Sequence, residues 1–351
     1  MADATKRALI TGIAGQDGGH LAKLLHEKGY EVFGIIRGQM EASHPRYKQI
    51  KEEMPYVELI MADLLDLSAL TRAVQQVQPD EVYNLAAISH VGYSFRDPIL
   101  TADVTGKGVL HVLEAIRLAG LEKTARFYQA STSEMFGGLD YNRPGKGYDE
   151  ESMFHPRSPY GVSKLYGYWI TKNYRENYGM YALSGILFNH EGERRGPEFV
   201  TRKVSKAVAR IKLGKQEYLE LGNMDAKRDW GYAGDYVEGM WRMLQQEEAK
   251  DYVLASGETH SIREFCEYAF REVGIDLMWE GTGTDEIGKD AANGKVLVKI
   301  NPDYFRPSEV DILLGNPEKA ETELGWQRKV DFPGLVKLMV SHDLDVEASE
   351  A

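Results

Sequence analysis

Tyr160 and Lys164, in the run Tyr160-Gly161-Val162-Ser163-Lys164, stand four residues apart near the start of a helical pattern and so share one face. A phenol with an ordinary pKa of about 10 acts as a base near neutrality only beside a cation that stabilises its phenolate. Lys164 is spaced to be that cation. Upstream, an apolar run ends in Ser131-Thr132-Ser133-Glu134, which delivers hydroxyls and a carboxylate at a strand end. Near the N-terminus, Thr11-Gly12-Ile13-Ala14-Gly15-Gln16-Asp17-Gly18 places Gly12, Gly15 and Gly18 in a G-x-x-G-x-x-G spacing that feeds into a helix. Such a turn lets the backbone approach a pyrophosphate, which meets the free amides of the helix start.

These groups need elements that bring them together. Apolar runs predict strands at Arg7–Thr11, Glu31–Ile36, Val57–Met61, Glu81–Ala86, Arg126–Ser131 and Met180–Leu187. Helical periodicity at Asp17–Lys28, Asp66–Val77, Val104–Leu118 and Pro159–Tyr178 falls between most of them. The alternation predicts an α/β fold, a doubly wound parallel sheet of the Rossmann type with helices on both faces. Ligands bind such sheets at the carboxyl edge, where the chemistry-bearing residues all fall. Beyond Asn189 the pattern predicts a smaller, mostly helical substrate-binding lobe, with helices at Glu198–Leu213, Ala233–Gln245, Ile262–Val273 and Pro317–Leu324. A short strand at Tyr252–Ala255 is expected to return to the main sheet. The division is therefore discontinuous: 1–188 plus about 229–256 for the cofactor, 189–228 plus 257–342 for the substrate, and 343–351 as a frayed acidic tail.

The second strand selects the cofactor. A ribose 2′-hydroxyl is met by Asp or Glu at that strand's end, whereas here the strand ends in Ile35-Ile36-Arg37-Gly38. Arg37 suits a 2′-phosphate, which predicts NADP. Thr11, Gln16 and Asp17 belong to the same cofactor loop, Asp63 and Leu64 bracket the adenine, and Leu85, Ala86, Ala87 and Ser89 line the cofactor after the fourth strand.

Longer runs identify a family. The glycine loop, the Thr132-Ser133-Glu134 triplet and His155-Pro156-Arg157-Ser158-Pro159-Tyr160-Gly161 resemble the extended short-chain dehydrogenase/reductases. Within them the chain closely resembles the GDP-mannose 4,6-dehydratases, through Leu187-Phe188-Asn189-His190-Glu191, Arg194-Arg195-Gly196, Phe199-Val200-Thr201-Arg202-Lys203, Asp225-Ala226-Lys227-Arg228-Asp229-Trp230-Gly231 and Tyr304-Phe305-Arg306-Pro307. The resemblance implies a lyase that oxidises C4 of a GDP-hexose by hydride transfer to NADP, removes water across C5 and C6, and returns the hydride to C6. Tyr160 then takes the C4 hydroxyl proton, Lys164 lowers its pKa and holds the nicotinamide ribose, Thr132 hydrogen-bonds the C4 oxygen, and Glu134 removes the C5 proton. A simple reductase has no use for a base two residues beyond Thr132, so Glu134 argues for elimination. The resemblance further implies cofactor contacts at His190 and Arg195, and substrate contacts at Ser89, Asn189, Val200, Lys203, Arg228, Arg306 and Glu309. Arginines from distant segments clamp a diphosphate.

Some positions depart from the family's pattern. Arg37-Gly38 replaces a common Arg-Arg pair, so a homodimer packed through the Tyr160 helix is expected ahead of a homotetramer that would use this loop and Arg46. Ile88, Leu100 and Gly192-Glu193 also differ, which leaves a related GDP-sugar such as a manno-heptose as the alternative substrate. A sugar-nucleotide epimerase or reductase, and a silent nucleotide-sugar sensor, are the more distant alternatives.

Composition sets the outer bounds. The 351 residues carry 42 Lys+Arg against 54 Asp+Glu, a net charge of −12 that disfavours a nucleic acid or an anionic membrane as partner. The longest weakly polar stretch, Met180 to Phe188, is far short of the ~20 residues that span a bilayer. One cysteine, Cys266, and no secretory segment predict a cytoplasmic protein. No spacing suggests a metal site.

Overall fold

The structure is a computed structural model and describes residues 5–37, 45–138, 147–304 and 312–350, with the side chains of 45 and 46 outside that set. Seven strands form the main sheet: β1 (Arg7–Thr11), β2 (Glu31–Ile36), β3 (Val57–Met61), β4 (Glu81–Asn84), β5 (Arg126–Thr132), β6 (Tyr181–Leu187) and β7 (Tyr252–Leu254). Every pairing is parallel, in the order β7-β6-β5-β4-β1-β2-β3. The order turns back between β1 and β4, and a crevice opens there beyond the strand ends. As expected, β7 rejoins the main sheet.

Helices cover both faces: α1 (Gln16–Glu27), α2 (Leu67–Val77), α3 (Gly108–Leu118), α4 (Pro159–Tyr178), α5 (Val200–Lys212), α6 (Ala233–Leu244), α7 (Ile262–Glu272) and α8 (Phe332–Ser349). One apolar cluster joins α1 and α6 to the sheet through Leu21, Leu25, Tyr83, Met240 and Leu254, and another packs α2 and α3 through Val74, Leu113 and Phe127. A third, built on Val208, Phe270, Val298 and Val336, is the core of the smaller lobe.

Two local differences from the sequence pattern have physical causes. Strand β4 stops at Asn84 and not at Ala86, because the amides of Leu85 and Ala86 both donate to the Thr11 hydroxyl at 3.1 Å. The helix expected at Val104–Leu118 has a longer entry. Helical turns run over Val91–Arg96 and Pro98–Thr101, and a wide π-type turn over Ala102–Lys107 leads into α3. Pro98 starts a fresh turn and the Asp97 carboxylate caps it by accepting from the Leu100 amide.

The smaller lobe also carries a four-stranded sheet, ordered Leu277–Glu280, Ile287–Asp290, Val296–Ile300 and Leu219–Leu221, which adds to the expected helices.

The stretch expected to fray is instead the end of α8. Asp343 and Glu347 are each 1% exposed. Basic side chains on and just beyond α5 face them: Arg202 for Asp343, and Lys206, Arg210 and Lys215 for Glu347. Pairing makes burial of both carboxylates tolerable. Among the described residues no helix is long and apolar enough to cross a membrane.

Candidate active site

The crevice at the carboxyl edge is a cleft of about 1280 Å³, beyond the roughly 300–1,000 Å³ of an ordinary small-molecule site. The glycine loop forms one wall. Gly12 has φ +74°, and a Cβ there would stand 2.8 Å from the Ala86 amide nitrogen, while one at Gly18 would stand 2.4 Å from the Gly12 carbonyl oxygen. Only glycine lets this turn press on the neighbouring backbone. Thr11 is spent on holding that contact: its hydroxyl accepts from Leu85 and Ala86 and donates to Asn84 at 2.7 Å.

Asp17 and His190, each expected at the cofactor, are each other's partners. The His190 Nε2 lies 2.8 Å from Asp17 Oδ2, its Nδ1 faces the Phe188 carbonyl at 2.8 Å, and Gln16 Nε2 bridges Asp17 and the His190 carbonyl. Burial works to raise Asp17, but the His190 charge and hydrogen bond outweigh it and hold the carboxyl far below its ordinary range. For His190 burial works downward and is outweighed by the Asp17 charge, so the imidazole is raised towards the cation. The pair ties the start of α1 to the short strand Asn189–Glu191.

The same cleft carries the proton-handling groups. Ser158 caps α4 by accepting from the Gly161 amide at 3.0 Å, and Pro159 takes the first helical position, so Tyr160 sits in the first turn. A Cβ at Gly161 would come 2.9 Å from the Glu134 carbonyl oxygen, which shows how closely this turn seats on the end of β5. Thr132, the last residue of β5, accepts the Glu134 amide at 3.3 Å. Burial pushes the Tyr160 phenol well up, a hydrogen bond with Thr132 pulls it down, the Glu134 charge pushes it up, and the Arg195 charge pulls it down. Lys164 Nζ lies 5.8 Å from the centre of the Tyr160 ring and donates to the Ala130 carbonyl at 2.7 Å. Burial lowers its ammonium to about 8, against the pull of Asp17. The sequence pattern has Lys164 stabilise the phenolate as a nearby cation. Here its hydrogen bond goes to the backbone of β5.

The cleft also gathers Gly15, Arg37, Asp63, Leu64, Ala87, Ser89, Asn189, Arg195, Val200, Lys203 and Arg228. Arg306 and Glu309 lie outside the described residues. Among the described residues no cluster of His, Cys, Asp and Glu is arranged to hold a metal.

Residues 9–339 match the family model described as GDP-mannose 4,6 dehydratase. The chain belongs to the GDP-mannose 4,6-dehydratase family. It is therefore an enzyme of the hydro-lyase class. A GDP-mannose 4,6-dehydratase of Sinorhizobium fredii is 52% identical over 343 residues, covering 97% of each chain. One from Drosophila melanogaster is 50% identical over 346 residues, 97% of this chain and 87% of that protein. Among solved structures, a UDP-glucose 4-epimerase of Thermus thermophilus in complex with NAD is 27% identical, with a TM-score of 0.78 over 96% of this chain and 98% of that one. A dTDP-glucose 4,6-dehydratase of Streptomyces venezuelae, 22% identical with a TM-score of 0.79 over 98% of both chains, shares the fold.

The 4,6-dehydratase cleft contains residues that the sequence pattern did not single out. Glu191 is 2% exposed, pairs with Arg195 Nε at 2.9 Å and accepts from Thr201 at 2.5 Å. Its place in Asn189-His190-Glu191 was the available signal. Tyr304 lines the cleft with Lys203 Nζ 3.8 Å from its ring centre. Fit to a dinucleotide rests on the glycine wall itself. Side chains at Gly12 or Gly18 would collide with backbone, so the loop presents bare amides at the start of α1, as a phosphate requires.

Proposed function

We infer that this cleft carries out the NADP-dependent 4,6-dehydration of GDP-mannose to GDP-4-keto-6-deoxymannose. The observation that carries the reading is the meeting of Thr132, Glu134, Tyr160 and Lys164 in one cleft with the glycine loop. NADP would supply the acceptor and donor of the hydride, and similar solved structures, which hold NAD or NADPH, support a nicotinamide cofactor. Arg37 lines the cleft at the end of β2, where a cation suits the 2′-phosphate.

The chain's own residues handle the protons. Tyr160 takes the proton of the C4 hydroxyl while Thr132 holds that oxygen. Burial makes the free phenol a weak acid, so the Lys164 cation on the same helix face is needed to hold the phenolate. Glu134 removes the C5 proton once the C4 carbonyl has acidified it, and passes it to the C6 hydroxyl as that leaves. After reduction at C6, carbon 5 needs a proton, and Tyr160 holds the one taken from the C4 hydroxyl. Both protons taken from the sugar are thus returned, one on C5 and one in the departing water.

Asn189, Val200, Lys203 and Arg228 would take the GDP-sugar, with Ser89 serving both sugar and cofactor, and with Arg306 and Glu309 assigned on the family resemblance alone. Arg195 would contact the cofactor, and His190 would serve it by pinning Asp17. The proposed division is 1–188 plus about 229–256 and 189–228 plus 257–342, although Ala320, Leu324 and Trp326 pack with the main sheet and Trp230 packs in the smaller lobe. The single Cys266 suits the cytoplasm.

The test is to bind each nicotinamide dinucleotide and then offer GDP-mannose and a GDP-manno-heptose. The expected outcome is tighter binding of NADP than NAD and a 4-keto product from GDP-mannose. Turnover of the heptose alone would overturn the substrate, and equal affinities would overturn the cofactor.

A further inference from the structure

Helix α8 buries a carboxylate that the reaction does not use. Asp343 receives Arg202 Nε at 2.9 Å and Nη2 at 2.7 Å on one oxygen, and the Ser205 hydroxyl at 2.6 Å on the other. The remaining edge of the Arg202 guanidinium is turned to backbone, where Nη1 donates to the Glu193 carbonyl and, at 3.3 Å, to the Arg195 carbonyl. Between the strand Asn189–Glu191 and α5 the chain has no regular structure, so its path depends on such side-chain anchors. That segment presents Arg195 to the cleft, with its guanidinium 3.6 Å from the centre of the Phe199 ring and its Nε on Glu191.

A buried Arg–Asp pair is a weak source of stability, because desolvation cancels most of its attraction. What it does supply is a fixed guanidinium, and here that guanidinium grips the backbone on either side of Arg194. We propose that Asp343 is a positioning residue for the cofactor: through Arg202 it fixes the carbonyls of residues 193 and 195, and so the place of Arg195 in the cleft. The inference rests on the reading of Arg195 as a cofactor contact. Glu347, one turn further along α8, is an internal control. It is buried to the same degree, and its ion pairs run to Lys206, Arg210 and Lys215.

NADP affinity, titrated by tryptophan fluorescence on the full chain with the thermal midpoint recorded for each protein, tests this in Asp343→Asn, Glu347→Gln, Arg195→Met and the Asp343→Asn/Arg195→Met double variant. Arg195→Met is expected to weaken NADP by roughly tenfold or more, the loss of a charged contact. Asp343→Asn is expected to weaken it by roughly fivefold, and the double variant to bind no worse than Arg195→Met, since coupled residues do not add. Glu347→Gln is expected to lower the midpoint and leave NADP affinity within about twofold. Multiplying losses in the double variant, or equal losses from Asp343→Asn and Glu347→Gln, would overturn the proposal. Unchanged affinity in Arg195→Met would instead remove the reading of Arg195, and the proposal with it. Should Asp343→Asn fail to fold, Arg202→Lys keeps the charge opposite Asp343, loses the grip on the carbonyls, and carries the same expectations.

Discussion

On the proposed mechanism, Glu134 separates this site from a redox site of the same fold. Tyr160, Thr132 and Lys164 suffice to move a hydride and a hydroxyl proton, but loss of water needs a second base on the sugar's C5 side. The chain fixes Glu134 through its backbone groups: β5 ends at Thr132, whose hydroxyl catches the Glu134 amide, and the first turn of α4 seats against the Glu134 carbonyl. Exchanging the carboxylate for an amide keeps the shape and removes the base. Glu134→Gln is expected to bind NADP as the unchanged chain does and to lose dehydration by roughly 10²–10⁴-fold, the usual worth of a positioned acid–base group. Coupled assays of 4-keto product and cofactor titration check both halves, and undiminished dehydration would refute the assignment.

At the scale of elements, the Asp17–His190 pair ties the cofactor helix α1 to the strand that leads into the substrate segment. His190 is raised, so its contribution to stability is fully present below the unfolded histidine value of about 6.5 and is lost as pH rises through the folded value. Asp17 is lowered, so its share is present above the unfolded aspartate value of about 3.9 and is lost as pH falls towards the folded one. The thermal midpoint of His190→Asn should therefore lie furthest below that of the unchanged chain between about pH 5 and 6.5, with the gap narrowing above. A gap independent of pH would contradict the ion pair. Of these elements, the six strands and their helices were legible because strictly alternating apolar runs admit one packing, and α4 was legible to the residue because Ser158-Pro159 and Gly179 mark its ends. The pairing of Asp17 with His190 was not legible, since 173 positions separate them and both fitted a cofactor contact by themselves. Nor was the end of α8, whose acidic residues read as solvated until the basic face of α5 is set against them.

Across the whole molecule, a net charge of −12 coexists with a cleft that gathers Arg37, Arg195, Lys203 and Arg228. These cations share the cleft with Asp17, Asp63, Glu134, Glu191, Glu198 and Asp303, so anionic nucleotide ligands are met by individually placed cations and not by a positive surface. Helix α4 leaves Val162, Tyr166 and Trp169 exposed at four- and three-residue steps, a stripe that covers the back of the catalytic helix. Through this stripe the chain is expected to pair with a second copy, and Trp169→Glu to shift the sedimentation coefficient from dimer to monomer; an unchanged chain that sediments as a monomer would contradict it. The central claim is that one cleft removes a hydride from C4, expels water, and returns the same hydride to C6. GDP-mannose deuterated at C4 tests it in one measurement by NMR of the product. The account predicts deuterium in the C6 methyl group beside a C4 ketone, and deuterium retained at C4 or lost to water would contradict it.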